Sequence, residues 1–97
     1  MKLEISSEAV EWYKDEMELD KGDTVRFFVR YGGNSTIQKG FSLGVMTEEP
    51  IEPFTDIEVD GITFYIEEKD AWYFDEYDLN VQYNNVYDEV EFDYKES

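Results

Sequence analysis

The chain has 97 residues, which sets one domain with no room for a second independent core. It carries 25 acids against 8 bases, for a net charge of -17, and contains neither cysteine nor histidine. Such a chain repels phosphate backbones and anionic lipid, and its composition excludes disulfides, thiolate nucleophiles, imidazole bases and cysteine or histidine metal sites.

The charge does not imply disorder. Eight Tyr, seven Phe and two Trp supply enough large apolar surface for a core. The N-terminal stretch has no apolar leader region, and no run approaches transmembrane length, so a soluble cytoplasmic protein is expected.

The first predicted element is a helix opened by Ser6. Its hydroxyl suits the N-cap, Glu8 sits where the helix dipole favours an acid, and Ile5 can staple onto Val10. Ala9, Val10, Tyr13 and Met17 recur at helical spacing and mark the buried face, with Trp12 at its edge. Gly22 is expected to close this region, with Asp20 to Asp23 as the exit turn.

Thr24 to Tyr31 is the clearest strand. Val25, Phe27, Val29 and Tyr31 share one face, and Arg26, Phe28 and Arg30 share the other. Arg26 and Arg30 are expected to pair with acids on neighbouring strands. A glycine loop, Gly32 to Lys39, leads to a second strand on which Phe41, Leu43 and Val45 alternate. The connector Glu48 to Pro53 is rich in turn residues, and its prolines are expected to block strand pairing.

Asp60-Gly61 signals a two-residue hairpin turn. That turn pairs Val59 with Ile62 and Ile57 with Phe64, all on one face. Lys69 to Phe74 reads as a short helix, Leu79 to Tyr83 as a strand, and Val90, Phe92 and Tyr94 as a last strand or a frayed acidic tail. The whole is an α+β domain with mostly antiparallel or mixed β-sheets, an N-terminal helix and a second short helix.

Several ordered features resemble the HesB-like family, the A-type iron–sulfur carriers. They are the N-terminal helix, the stretch Val25 to Gly33, Ser35, Gln38 with Gly40, the Val59-Asp60-Gly61-Ile62 turn and the step Trp72-Tyr73-Phe74-Asp75. The resemblance implies a HesB-like fold across the single domain 1–97. It also implies a binding loop at Tyr31, Gly32, Gly33, Asn34, Ser35 and Gln38. The family's first cluster-ligating cysteine falls on Asn34, and its C-terminal cysteine pair has no counterpart, so the chain resembles a cysteine-lacking branch.

Iron–sulfur clusters need thiolate or imidazole ligands, and this chain offers neither. The expectation is therefore a non-catalytic adaptor or accessory protein of cluster assembly, without a cofactor of its own. Its partner would be a protein, an assembly factor or client, and neither nucleic acid nor membrane. Trp72, Tyr73 and Tyr77 are candidate protein contacts. Two alternatives stay open: a carboxylate binder of iron or another divalent cation, through Asp88, Glu89, Glu91 and Asp93 or through Asp75, Glu76 and Asp78, and a small protein-binding domain that has left iron–sulfur biology. Monomer and homodimer both remain open.

Overall fold

A computed structural model describes residues 1–96. Two sheets and one α-helix enclose the core. Strand β1 (Leu3–Ile5) lies beside β6 (Tyr77–Asn84), which pairs in turn with β7 (Glu89–Glu96). The other sheet has the order β3 (Lys39–Thr47), β2 (Thr24–Asn34), β5 (Ile62–Glu67), β4 (Pro53–Val59). Antiparallel hairpins β2–β3, β4–β5 and β6–β7 combine with the parallel pairs β1–β6 and β2–β5, so the sheets are mixed, as expected.

Helix α1 (Ser7–Glu16) begins as the sequence predicts: Ser6 Oγ accepts the Ala9 N–H at 3.1 Å, and Ala9, Val10 and Tyr13 are buried. Its end differs. The helix stops at Glu16, and Glu18, at φ 51°, reverses the chain so that Leu19 turns inward. The exit turn from Asp20 to Asp23 forms where expected, and within it the Gly22 N–H donates to Gly61 O at 2.8 Å.

The hairpin register is the one the Asp60-Gly61 turn demands, with Val59 opposite Ile62 and Ile57 opposite Phe64. Asp60 and Gly61 both have positive φ, which the tight turn needs to match the strand twist. Pro53 corrects the expectation that both prolines stand outside the sheet. It opens β4 opposite Glu67, at the first position of a strand, where its missing N–H costs no ladder bond. The C-terminal segment is a full strand, paired from Asn84–Glu89 to Tyr77–Glu96. The second helix is a 3-10 segment, η1 (Glu68–Tyr73).

The core is centred on Phe27, which is fully buried. Its ring stacks on Phe64 at 6.0 Å and meets Tyr13 of α1 and Phe92 of β7 edge-on at 6.0 and 5.8 Å. One side chain of β2 thus ties the helix to both sheets. Offset and edge-to-face pairs of this kind add about 0.5–1.5 kcal/mol each beyond the area they bury.

The opposite face of β2 carries a polar layer. Arg26 is 7% exposed and donates through Nη2 to Asp70 Oδ2 at 2.8 Å, and through Nη1 to Glu48 Oε1 at 3.5 Å. Burial works against its charge, and the Asp70 hydrogen bond and the carboxylates around it more than restore it. These acids come from η1 and the connector, not from cross-strand positions. Arg30 departs further from the expectation, its Nε donating to Ser42 Oγ at 3.0 Å. Phe28 lies across the bare Gly44 on β3, where a Cβ would come within 2.5 Å of its ring, and the Arg26 guanidinium sits 5.9 Å from the centre of that ring.

The connector is strapped down by the same layer. Tyr65 O–H and Thr24 Oγ1 both donate to Glu48 O, at 2.6 and 2.7 Å. Glu67, 5% exposed, accepts the N–H groups of Ile51 and Glu52 with one carboxylate oxygen each, at 3.0 Å. Burial alone would raise the Glu67 carboxyl. The N–H donors of Glu52 and Ile51, helped by the charges of Arg26 and Lys69, outweigh it and hold the group below the usual carboxylate range.

Two outcomes are expected. Asp70→Ala leaves the buried Arg26 charge only its longer contact with Glu48 and should cost about 2–3 kcal/mol in urea unfolding, while Arg26→Met/Asp70→Leu together recover much of that loss. Glu67 has a depressed folded pKa, so its contribution is complete above its unfolded pKa, about 4.3, and disappears as pH falls through the folded value. Unfolding free energy measured from neutral to acid pH should therefore fall more steeply in the wild type than in Glu67→Gln, and the two curves should converge at low pH.

Candidate functional site

The glycine loop is narrower than its sequence suggests. Strand β2 runs on through Gly32 and Gly33, and the register slips between Tyr31 and Asn34. Gly32 at φ 117° and Gly33 at φ 68° supply the slip, in a region that side chains avoid. At Gly33 there is also little space, since a Cβ would approach Ser42 Oγ to 3.1 Å.

Asn34, Ser35 and Gln38 of the loop, with Ser42 of β3, hold its shape. Ser42 Oγ donates to Gly32 O at 3.0 Å. Asn34 Oδ1 accepts the Gly40 N–H at 2.8 Å, bridging the two arms. Ser35 Oγ accepts the Gln38 N–H at 3.0 Å and closes the turn between them. Gln38 Nε2 reaches Tyr73 O at 3.4 Å and tethers the loop to η1.

Exposed aromatic rings line the outside of this frame. Tyr31 is 88% exposed and sits edge-on to Phe41, its cross-strand partner, at 5.7 Å. Phe41 meets Trp72 edge-on at 5.2 Å, and Trp72, half exposed, meets Tyr73 at 6.2 Å. The row thus starts in solvent and ends in the core. From the sequence Phe41 reads only as a residue of the second strand; pairing Tyr31 across the hairpin places it in the site.

Two candidates fall elsewhere. Tyr73 is fully buried, its hydroxyl 3.0 Å from that of Tyr94, so it anchors the row from beneath and presents no contact surface. Tyr77 opens β6 opposite Glu96 and is half-buried, apart from these rings. The structure therefore brings together Tyr31, Gly32, Gly33, Asn34, Ser35, Gln38 and Trp72.

Beside the loop lies a groove of about 320 Å³, lined by Asn34, Ser35, Thr36, Ser42, Phe92 and Tyr94. Its donor set is neutral amide and hydroxyl oxygen. Sulfide-bridged iron requires thiolate or imidazole, so these residues do not fit a cluster. The acids fit a hard cation no better. Glu89, Glu91 and Asp93 follow one another on the exposed side of β7, at alternate positions roughly 6–7 Å apart. Among the described residues no three acids converge on one point. No helix among them is long and apolar enough to cross a membrane.

Comparison with known proteins identifies the family. Residues 1–97 match the family described as iron-sulphur cluster biosynthesis. The chain is 55% identical over 95 residues to the pyruvate dehydrogenase inhibitor of Bacillus subtilis (strain 168), covering 98% of this chain and 100% of that one. It is 41% identical over 95 residues to an uncharacterized protein of Staphylococcus saprophyticus, covering 95% and 97% of the two. The crystal structure of Escherichia coli SufA, involved in biosynthesis of iron-sulfur clusters, superimposes with a TM-score of 0.61 at 16% identity, over 95% of this chain and 79% of that one. At such low identity the likeness establishes the fold alone. The chain belongs to the iron–sulfur cluster biosynthesis family, with the HesB-like fold, as a member without cysteine.

Proposed function

We propose that the 97 residues act as one HesB-like domain, a non-catalytic cytoplasmic protein that binds a pyruvate dehydrogenase and inhibits it. The observation that carries this reading is the 55% identity, along the whole length of both chains, with a protein named for that inhibition. The site's chemistry supports it. A cluster carrier needs a soft donor set, and this loop has only neutral oxygens. What the loop retains is a fixed shape carrying exposed aromatic rings.

Tyr31, Phe41 and Trp72 form the contact surface in this reading. Aromatic anchors dominate many interfaces because each buries a large area while losing few rotamers. Arg30 and Lys39 stand at the same end of the hairpin, both exposed, and give it cations that most of the surface lacks. The glycine loop contributes stiffness: Asn34, Ser35 and Gln38 are already engaged, so docking orders little new backbone.

A second reading keeps the protein in cluster assembly, as an adaptor that docks on an assembly factor or client through the same rings. Membership of the iron-sulphur cluster biosynthesis family favours it. The partner, and not the surface, separates the two readings.

The test is the rate of pyruvate oxidation by the purified Bacillus subtilis pyruvate dehydrogenase complex with increasing amounts of this protein. Saturable inhibition is expected. Trp72→Ala and Tyr31→Ala, both at exposed positions, should each weaken it on the order of tenfold without loss of fold. No inhibition at a large excess of protein would overturn the reading and leave the assembly adaptor standing. Full inhibition by the double variant would move the contact surface elsewhere on the chain.

A further inference from the structure

A different surface lies between α1 and the β6–β7 hairpin. A groove of about 350 Å³ is lined by Trp12, Met17, Val45, Val90 and Phe92, with the carboxylates of Glu16 and Glu89 also on its wall. Trp12 is shared with a second groove of about 300 Å³, walled by Glu8, Glu11, Asp15 and Asp88. The turn between β6 and β7 adds Val86 and Tyr87, which are 80% and 72% exposed. An apolar strip therefore runs directly beside an acidic one. The base carried by α1, Lys14, is held by Glu11 at 3.4 Å.

The pairing of these two strips defines what fits. An apolar segment alone would leave the carboxylates facing a dry surface, and a polyanion would be repelled. A second copy of this chain would bring another charge of -17 against the acidic wall. A peptide with apolar side chains on one face and lysine or arginine on the other meets both requirements, in the manner of helix-in-groove recognition.

We propose that this groove docks a basic amphipathic segment of a partner protein. Its apolar side chains lie between Trp12 and Phe92, and its cations face Glu16 and Glu89 on the groove wall and Glu8, Glu11, Asp15 and Asp88 beside it. The surface uses residues other than those of the loop and holds whether or not the partner is a pyruvate dehydrogenase.

The experiment titrates the isotopically labelled full chain with a synthetic amphipathic peptide of leucine and lysine, at physiological salt, followed by NMR. Saturation at one peptide per chain is expected, with amide shifts concentrated at Trp12, Met17, Val45, Val90 and Phe92. Glu16→Lys/Glu89→Lys, at exposed positions, should weaken binding on the order of tenfold. Glu52→Lys/Glu68→Lys makes the same change of net charge at exposed positions that line neither groove, and should leave affinity within about twofold. Equal loss in both pairs, shifts scattered over the surface, or equal binding of a peptide with serine in place of leucine would each overturn the proposal. So would sedimentation showing that the free chain is a dimer with this groove covered. Val90→Lys gives an independent check at the groove itself. Its thermal unfolding is recorded first, and if it unfolds early the charge reversals decide alone.

Discussion

The guanidinium of Arg26 is a buried positive charge in a chain of net charge -17, and much of the architecture is arranged around it. It stands on β2, the strand that β3 and β5 flank, so whatever it grips is fixed to the middle of the sheet. It grips Asp70 on η1 and Glu48 on the connector. A buried pair of this kind contributes little net stability compared with apolar packing, but it penalises every arrangement that leaves either charge alone. Here that specificity has a structural use. Trp72 lies two residues beyond Asp70 and Tyr73 three, so holding Asp70 sets where η1 presents Trp72 to Phe41. The polar layer on one face of the sheet thereby orients the aromatic row of the candidate contact surface.

What was legible in the sequence and what was not divides along range of interaction. The Ser6 cap, the β4–β5 turn and the alternation along β2 are set by neighbours a few residues apart, and each appears where local rules put it. Strand β1 was invisible. Its three residues, Leu3-Glu4-Ile5, are too short a run for alternation to mark a strand, and it exists because they pair with Leu79 to Val81 near the other end of the chain. The choice of Asp70 and Glu48 by Arg26 belongs to the same class, since their separations of 44 and 22 residues follow from topology. The helix end was misplaced for a different reason. A glycine is the usual stop, but Glu18 accepts a left-handed conformation because Leu19 then reaches the core, and burial outweighs the local strain.

The loop holds its form by its own bonds. The positive φ angles of Gly32 and Gly33 are required by the slip in the β2–β3 register, and the Asn34, Ser35 and Ser42 side chains complete the turn internally. None of this depends on a bound cluster. Asn34, where the resemblance puts the family's first cysteine, is held by its own bond to Gly40, so the residue has a structural role in the turn. A fold whose loop stands without its cargo is free to use the same end of the molecule for protein contact.

The charge distribution then bears on how such contacts are chosen. Repulsion among 25 acids opposes compaction, so the core must exceed that cost before any surplus appears as stability. The chain meets it with rings, Phe27 touching Phe64, Tyr13 and Phe92 at once. Outside the core, the same acids repel most macromolecules that could adhere to Tyr31 or Trp72 without specificity, because much cellular surface is itself anionic. Exposed aromatic surface on an uncharged protein invites indiscriminate association. On this one it is restricted to partners that also answer the local charge: acids near Arg30 and Lys39 at the hairpin end, and bases along α1 and β7. In the proposed readings the two surfaces are oppositely biased, so each selects its partner segment by apolar fit and by the sign of the charge beside it.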